Sequence, residues 1–431
     1  MALGFPRQIP FIVTTEACER LSYYGMLSVL ALYLKNDLAL GEDGSKTLVH
    51  LFKMAVYFLP LAGAWLADRW LGRYRTILSL ALFYCLGHGA LAVFEGSREG
   101  VLVGLTLIAL GAGGIKPCVS AFVGDQFDET RADLLPRVYG LFYWAINLGA
   151  LFGFALIPLI RDHGGYRWAF GVPGLFMGLA TLVFWAGSEL YRKKAPQHAL
   201  AADGESAGAA RDKWRTVSRV ALVLAPVPVF WALFDQINTS WVLQGSRMTP
   251  FDLFGYKVDA ERMQSVSALL VLFWVPVLTL GAYPLAERLG WRATPLRRMG
   301  AGMAFAAVSF VICAWFQERL EAGAKLSLAW QVLPYTVLEL GEVLLSASGL
   351  EFAYAQAPAS LKSVVMSLWL LTTAVGNFLV AVITTVNARF VHADGVHEFL
   401  FYAALMLAVA GLFAVIASRY RAAPPAGAAG S

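Results

Sequence analysis

Charged residues are scarce in this chain. Only 15% of its 431 residues are Asp, Glu, Lys or Arg, whereas 58% are hydrophobic. A soluble protein of this size carries about 25% charged residues, so the composition excludes an ordinary soluble domain. The formal net charge of +5 is also too small to indicate a nucleic-acid-binding protein, and we expect no nucleic-acid partner.

Cysteine is rare as well, and recognisable catalytic motifs are missing. Cys18, Cys85, Cys118 and Cys313 all fall in apolar segments and form no CxxC pair, so we expect neither disulfide bonds nor a metal site. The sequence contains no HExxH motif and no nucleophile with its base, which argues against a membrane-embedded enzyme. We also expect no cleaved signal peptide, because Arg7 is followed directly by a full-length apolar segment.

Long apolar runs are what the chain has in abundance. A helix needs about 20 apolar residues to cross a bilayer, and roughly twelve runs of that length are present. The predicted spans are approximately 10–34, 47–68, 76–95, 100–122, 137–160, 168–190, 217–240, 264–285, 298–317, 327–353, 362–386 and 398–418. We therefore predict an all-α membrane protein with two six-helix bundles, at 1–190 and 217–421, a flexible linker at 191–216 and a disordered tail at 422–431.

The connecting segments differ in their content of Lys and Arg. If the N-terminus is cytoplasmic, the inner segments hold about twice as many Lys and Arg residues as the outer ones. This distribution places both termini and the linker in the cytoplasm.

The two halves contain similar segments. GAWLADRWLGR begins at Gly63 and GAYPLAERLGWR at Gly281, and each leads from the second span of its half to the third. A duplicated half with a central linker is typical of a two-bundle secondary transporter.

The first predicted span carries charges that a lipid-facing helix would not tolerate. Glu16, Glu19, Arg20, Tyr23 and Tyr24 follow helical spacing and form one stripe. An intramembrane charge costs about 2.5–3.5 kcal/mol, so such residues face a cavity or a partner. We expect Arg20 to neutralise one carboxylate and to leave the other for a second cation. A structural ion cluster that locks helices together is the alternative.

Other spans of the N-terminal half supply further polar groups. Lys116 lies in GAGGIKPC, where glycines allow close helix approach, and we expect it to pair with Glu16 or Glu19. His50, Lys53 and Tyr57 share one face of the second span, although a histidine at headgroup level is the alternative for His50.

The C-terminal half contributes mainly acids. Trp231, Asp235 and Asn238 share a face of the seventh span, and Glu339 and Glu342 lie one turn apart in the tenth, with Ser346 one turn further. Asn147 and Trp369 add an amide and an aromatic wall, for which ordinary helix packing is an equally good explanation. A basic N-terminal half and an acidic C-terminal half would suit a zwitterion held between them, and the carboxylates and His50 could relay protons.

These segments resemble the proton-dependent oligopeptide transporter family of the major facilitator superfamily. EACERLSYYG is similar to the family signature ExxERFxYYG, with Leu21 in place of the usual Phe. GAGGIKPCVSAFVGDQF, FYWAINLGA, FWALFDQ and GEVLLSASGLEFAYAQAPASLKSVVMSLWLLTTAVGN resemble other family blocks. The resemblance implies a major facilitator fold with 12 transmembrane helices and a multi-pass location in the cell (inner) membrane. It also implies proton-coupled uptake of di- and tripeptides by alternating access.

The resemblance further implies roles for individual residues. Glu342 matches the acid that receives the peptide's amino terminus, and Lys116 the lysine that pairs with the first-helix motif. The residues assigned to proton coupling are Glu16, Glu19, Arg20, Lys116, His50 and Asp235. Those assigned to peptide binding are Arg20, Tyr24, Tyr57, Lys116, Asn147, Trp231, Glu342, Ser346 and Trp369. The expected partners are peptides, protons and membrane lipid; we expect a monomer with no cofactor other than the proton as coupling ion.

Some positions depart from the family pattern. Leu27 replaces an arginine that often pairs with the acid of the seventh helix, Ser267 stands where an asparagine commonly contacts peptide, and Glu339 and Lys53 are additional charges.

We predict that Lys53 replaces the missing arginine and closes an outer gate by pairing with Asp235, with which His50 exchanges protons. The alternatives are a lysine that reaches the headgroups and a protonated Asp235. A family relative that moves another amino-acid-like or anionic solute is the alternative function.

Overall fold

The computed structural model describes residues 5–127, 134–194, 196, 207–290, 293–357, 361–391 and 395–420, and nearly all of them are helical. The α-helices are α1 (Ile9–Asn36), α2 (Gly41–Phe58), α3 (Pro60–Leu66), α4 (Arg73–Val93), α5 (Arg98–Asp125), α6 (Leu135–Ala186), α7 (Ala207–Leu224), α8 (Val227–Phe234), α9 (Ser240–Gly245), α10 (Gln264–Pro276), α11 (Tyr283–Arg288), α12 (Pro295–Glu321), α13 (Val332–Gln356), α14 (Lys362–Val386) and α15 (Val396–Arg419). Short 3₁₀ segments cover Asp235–Asn238 and Leu328–Gln331, and π-helical segments cover Ala67–Leu71, Val277–Ala282 and Asn387–Val391.

The predicted linker is partly helical. Residues 207–216 form the beginning of α7 instead of a flexible segment. Residue 195 and residues 197–206 of the linker, and the predicted tail 422–431, lie outside the described residues.

Among the described residues, ten helical stretches are long and apolar enough to cross a membrane. They are Gly41–Leu71, Arg73–Val93, Arg98–Asp125, Arg137–Ala186, Lys213–Gly245, Gln264–Arg288, Pro295–Glu321, Leu328–Gln356, Val364–Arg389 and Val396–Arg419. Nine of these stretches coincide with one predicted span each, and Arg137–Ala186 covers the predicted span 137–160 and most of the predicted span 168–190. The remaining predicted span is α1, which is 28 residues long but more polar than these ten because of its charged and tyrosine-rich stripe.

The 52-residue α6 is two helices joined at Gly165. Gly165 has φ 74° and ψ −177°, a left-handed conformation that interrupts the helix. Contacts with α1 show that the chain turns back there. Tyr33, near the end of α1, packs on Tyr166 just after the break, whereas Thr15, near its start, donates a hydrogen bond to the Ala180 carbonyl.

The hydrophobic core is divided between the halves of the chain. One cluster of buried apolar side chains contains residues between Ile9 and Tyr191, and the other contains residues between Val217 and Phe413. A small third cluster of Ala150, Phe154 and Ala268 joins α6 to α10. Each half therefore buries an apolar surface of its own, and a small apolar cluster lies between the two.

The seventh span is broken where its acid lies. α8 ends at Phe234, Asp235–Asn238 form a 3₁₀ turn, and Thr239, with φ −135° and ψ −90°, separates this turn from α9. Interrupted helices at membrane depth occur where the backbone lines a cavity or is buried in protein. The break turns Asp235 and Asn238 towards the other half of the molecule.

A β-hairpin follows α9 and was not anticipated by the all-α prediction. β1 (Phe251–Leu253) pairs antiparallel with β2 (Tyr256–Val258). Phe254 and Gly255 connect the strands with φ 52° and 83°, as a two-residue hairpin turn with two left-handed positions requires.

Glycines bring α3 and α5 into close contact, as the sequence around Lys116 predicts. A Cβ atom on Gly63 would lie 2.7 Å from the Cα atom of Gly114 and would also overlap the Gly113 carbonyl group. Gly63→Ala should therefore force the two helices apart at a cost of about 1–3 kcal/mol and lower the midpoint of thermal unfolding in detergent.

Gly89→Ala is the matched control, because a Cβ atom there has nothing within 4 Å. Alanine in a helix interior is about 0.5–1 kcal/mol better than glycine, so this variant should unfold at the wild-type temperature or above. Equal midpoints for the two variants would show that the close approach of α3 and α5 contributes no stability.

Candidate functional site

The charged stripe of α1 is buried and largely self-contained. The Arg20 Nε lies 2.7 Å from the Glu16 Oε1, to which it donates a hydrogen bond, and 3.0 Å from the Glu19 Oε2. Glu16, Glu19 and Arg20 are 2%, 0% and 8% exposed. Arg20 therefore contacts both carboxylates, whereas the sequence suggested that it would leave one of them free. Glu19 accepts no hydrogen bond from any described residue, so it is the less securely held of the two acids.

Lys116 is close to this cluster but does not pair with it. Its ammonium group lies 4.3 Å from the ring centroid of Tyr23 and 5.5 Å from that of Tyr57. Among the described residues it forms no ion pair within 4.0 Å, so the predicted pair with Glu16 or Glu19 is absent in this conformation. Arg20 reaches both carboxylates from the same helix, and Lys116 is stabilised instead by the faces of the two tyrosines.

A second buried network joins α2 to the broken seventh span. The Lys53 Nζ lies 2.5 Å from the Asp235 Oδ1, and the Asn377 amide donates to the Asp235 Oδ2 at 2.5 Å. His50 contacts the Asn377 Oδ1 through Nδ1 at 2.8 Å and the Thr239 Oγ1 through Nε2 at 2.9 Å. The pairing of Lys53 with Asp235 is thus present, and both residues are buried in the protein, at 3% and 5% exposed. His50 is fully buried and reaches Asp235 only through Asn377.

The same face of α2 continues this contact outwards. Lys46 lies 2.8 and 2.6 Å from the two oxygens of Glu398 in α15, and Glu42 lies 2.5 Å from the Arg247 Nη2 after α9. Residues 42, 46, 50 and 53 follow helical spacing, so one side of α2 contacts the C-terminal half turn after turn. We call these four residues and their partners the α2 seam. The sequence suggested only its innermost pair.

The α2 seam lies between two cavities. A cavity of about 600 Å³ lies at the end of the seam that is furthest from Lys53, where it borders Glu42, Lys46, Ser240, Arg247 and Glu398. A second cavity, of about 280 Å³, borders Lys53 and Asp235. The buried contacts of His50 with Thr239 and Asn377 separate the two.

A further ionic cluster joins the halves beside the β-hairpin. Arg161 contacts Glu261, and Arg262 contacts Asp162, while the Arg262 Nη1 lies 2.7 Å from the Asp259 Oδ2. Burial outweighs the neighbouring Arg161 and raises the pKa of Glu261 to about 8. The sequence does not predict this cluster, because nothing in the spacing of Arg161 and Arg262 indicates that the Gly165 turn and the segment before α10 meet.

The 280 Å³ cavity draws its lining from both halves. The predicted residues that line it are Tyr24, Tyr57, Asn147, Trp231, Glu342, Trp369, Lys53 and Asp235. Arg20 and Lys116 do not line it; Tyr23, Tyr24 and Tyr57 do, on the N-terminal side. Ser346 is also outside the lining but donates a hydrogen bond to the Glu342 Oε1 at 2.7 Å.

Two lining groups are held by backbone or hydroxyl contacts. The Asn147 amide donates to the Tyr143 carbonyl at 2.9 Å, and the Trp231 indole N–H donates to the Thr372 Oγ1 at 3.1 Å. Both side chains are fixed by packing within their own half, so they present preformed walls to the cavity. Ser267 and Glu339 also line the cavity and contact each other. Thr373 and Asn238, which have no predicted role, line it as well.

Comparison with known proteins places the chain in a family. A sequence profile of the POT family matches residues 74–205 and 206–398. The structure resembles that of an auto-inhibited POT family peptide transporter, with 37% identity, a TM-score of 0.90 and coverage of 96% of this chain and 98% of that one. It also resembles the POT family transporter PepTSo, with 34% identity, a TM-score of 0.89 and the same coverage.

Curated relatives include solute carrier family 15 member 2 of Danio rerio, which is 39% identical over 71% of this chain and 49% of its own length. Peptide transporter family 1 of Drosophila melanogaster is 36% identical over 75% of this chain and 49% of its own. The chain thus spans about half the length of these relatives. The profile match and the two structures at more than 30% identity show that the chain belongs to the POT family.

Proposed function

We propose that the protein is a proton-coupled symporter that imports di- and tripeptides by alternating access. The observation that carries this proposal is the cavity between the halves, which has tyrosines and an amide on one side and the acid Glu342 on the other. Relatives that match nearly the whole chain are described as peptide transporters. Uptake of another amino-acid-like or anionic solute remains the second candidate, and the free Glu342 favours ligands that carry an ammonium group.

The proposed membrane arrangement has twelve helices in two bundles, 1–190 and 217–421, with both termini cytoplasmic. Ten apolar stretches, the division of α6 at Gly165 and the polar α1 support the number twelve. We propose a multi-pass monomer in the cell (inner) membrane, with the proton as coupling ion, no other cofactor and no enzymatic activity.

In this arrangement the structure represents a conformation closed towards the outside. The α2 seam and the Arg161–Glu261 cluster join the halves on the side that carries the connections after α1 and α9, which the sequence predicts to be outer. Opening to the outside requires these contacts to separate. Lys53 and Asp235 form the innermost pair and act as the outer gate, and His50 is coupled to Asp235 because it contacts the Asn377 amide that donates to that carboxylate.

The peptide's amino terminus is assigned to Glu342 and its carboxyl end to the tyrosine side. Arg20 and Lys116 act there from behind Tyr23, Tyr24 and Tyr57, since neither lines the cavity in this conformation. Trp231 and Trp369, with ring centroids 6.2 Å apart, form the wall between the two ends.

Glu342→Gln tests the assignment of the amino terminus. The variant should bind dialanine about 10- to 100-fold more weakly, because a charge-assisted hydrogen bond is lost, and should bind propionyl-alanine, which lacks the amino group, as the wild type does. Binding is measured by competition with labelled dialanine on purified protein. Glu351→Gln, on the exposed end of the same helix, is the control. Equal losses for the two ligands would refute the assignment.

Glu16→Gln and Glu19→Gln test proton coupling. Each should abolish uphill uptake of dialanine driven by an inward proton gradient in liposomes, while dialanine counterflow, which needs no net proton movement, is partly kept. We expect the larger effect at Glu19, whose carboxylate accepts no hydrogen bond from the described residues.

Glu99→Gln, at the exposed start of α5, is the matched control and should accumulate dialanine normally. Normal accumulation by both Glu16→Gln and Glu19→Gln would rule out their role in coupling. A wild type that moves neither protons nor dialanine would rule out the proposed function.

Lys53→Met tests the outer gate. Removing one partner of a buried ion pair costs about 3–5 kcal/mol, so the outward-closed conformation should lose stability relative to the outward-open one. A cysteine placed in the cavity wall at Ala150 should then react at least about tenfold faster with a membrane-impermeant maleimide added outside.

Lys35→Met is the control, because Lys35 pairs with Glu42 inside the N-terminal half and at a more exposed site. Adding Leu27→Arg to Lys53→Met should restore slow labelling if the arginine position of the family can serve the same acid. Identical labelling in Lys53→Met, Lys35→Met and the wild-type background would exclude the gate.

A further inference from the structure

The cavity holds more acidic than basic groups. Its lining contains the acids Asp235, Glu339 and Glu342, and the only base among the described lining residues is Lys53. Lys53 is committed to Asp235 at 2.5 Å. Glu339 and Glu342 therefore both face the peptide site without a cation within ion-pair distance in the described part of the chain.

The two unpaired acids are held in different ways. Glu342 is partly exposed and accepts a hydrogen bond from Ser346 in its own helix. Glu339 is 0% exposed, and its Oε1 accepts a hydrogen bond from Ser267 of α10. Its Oε2 has no hydrogen-bond partner among the described residues. A buried carboxylate oxygen without a donor is costly, and a cationic group of a bound ligand would satisfy it.

The spacing of the acids suits one ligand that carries two positive groups. Side chains three residues apart on a helix have Cβ atoms about 5–6 Å from each other. The α-ammonium group and the side-chain cation of an N-terminal lysine or arginine can span that separation. A zwitterionic dipeptide of neutral residues supplies only one ammonium group and leaves one of the acids unmatched.

We infer that Glu339, held by Ser267, forms a second anionic subsite that takes the cationic side chain of the peptide's first residue. The preferred substrates are then peptides that begin with lysine or arginine. This inference rests on the proposed function and on the assignment of the amino terminus to Glu342. It gives a role to Ser267 and Glu339 together, two positions at which the chain departs from the family pattern.

Three dipeptides test the inference on the purified wild-type protein. Norleucyl-alanine has the aliphatic chain of lysyl-alanine without its ammonium group, and dialanine is the reference ligand. Lysyl-alanine should bind about tenfold or more tightly than norleucyl-alanine, as expected for a hydrogen bond to a charged group. Glu339→Gln should bring that ratio to about one and leave norleucyl-alanine affinity within about twofold to threefold, since the amide keeps the shape of the carboxylate.

Glu351→Gln, which removes a carboxylate from the exposed end of the same helix, should keep the full preference for lysyl-alanine. Equal affinities of the wild type for lysyl-alanine and norleucyl-alanine would overturn the inference. An unchanged ratio in Glu339→Gln would overturn it as well.

A series of shorter cations keeps the inference testable if Glu339→Gln does not fold. In the wild type, affinity should fall from lysyl-alanine to ornithyl-alanine to diaminobutyryl-alanine as the side-chain ammonium retreats from Glu339, and no dependence on length would refute the subsite. The failure of the proposed function has a different signature, because a folded wild type would then bind neither dialanine nor norleucyl-alanine.

Discussion

The ion pair between Lys53 and Asp235 is the contact on which the arrangement between the two halves depends. Both groups are buried, and a lone charge at either position would be costly. Each therefore requires the other, and the requirement brings α2 against the 3₁₀ turn of the seventh span. The amide of Asn377 completes the coordination of Asp235 and ties α14 into the same contact.

The contact of the α2 seam furthest from Lys53 is the most exposed. Lys46 and Glu398 have side chains only 7% and 18% exposed, whereas those of Glu42 and Arg247 are 32% and 46% exposed. Exposed pairs contribute little to stability, about 0–1 kcal/mol, whereas separation of a buried pair is expensive. The contact of Glu42 with Arg247 can accordingly separate at low cost, whereas the buried pairs of Lys46 and Lys53 hold the two halves together.

Much of this architecture was predictable because it follows from hydropathy and helical spacing. Hydropathy predicts the spans, and helical spacing predicts the shared face of His50, Lys53 and Tyr57. The partnership of Lys53 with Asp235 required only one charge on each of two helices and an estimate of depth. The Lys116 prediction was wrong because a count of charges does not show that Arg20 reaches Glu16 and Glu19 at once. Arg161 and Glu261 could not be paired from the sequence, since their contact depends on how the turn at Gly165 folds against the segment before α10. The break at Asp235 could not be predicted either, because its residues also form ordinary helices.

Gly72 and Gly290 show what the two halves have in common. Each lies nine residues after the first glycine of its repeated segment, and their φ angles are 74° and 79°. Most side chains around them differ between the repeats, but only glycine adopts this backbone conformation without strain. The two repeated segments thus share a backbone turn, at positions where the absence of a side chain matters more than any particular one.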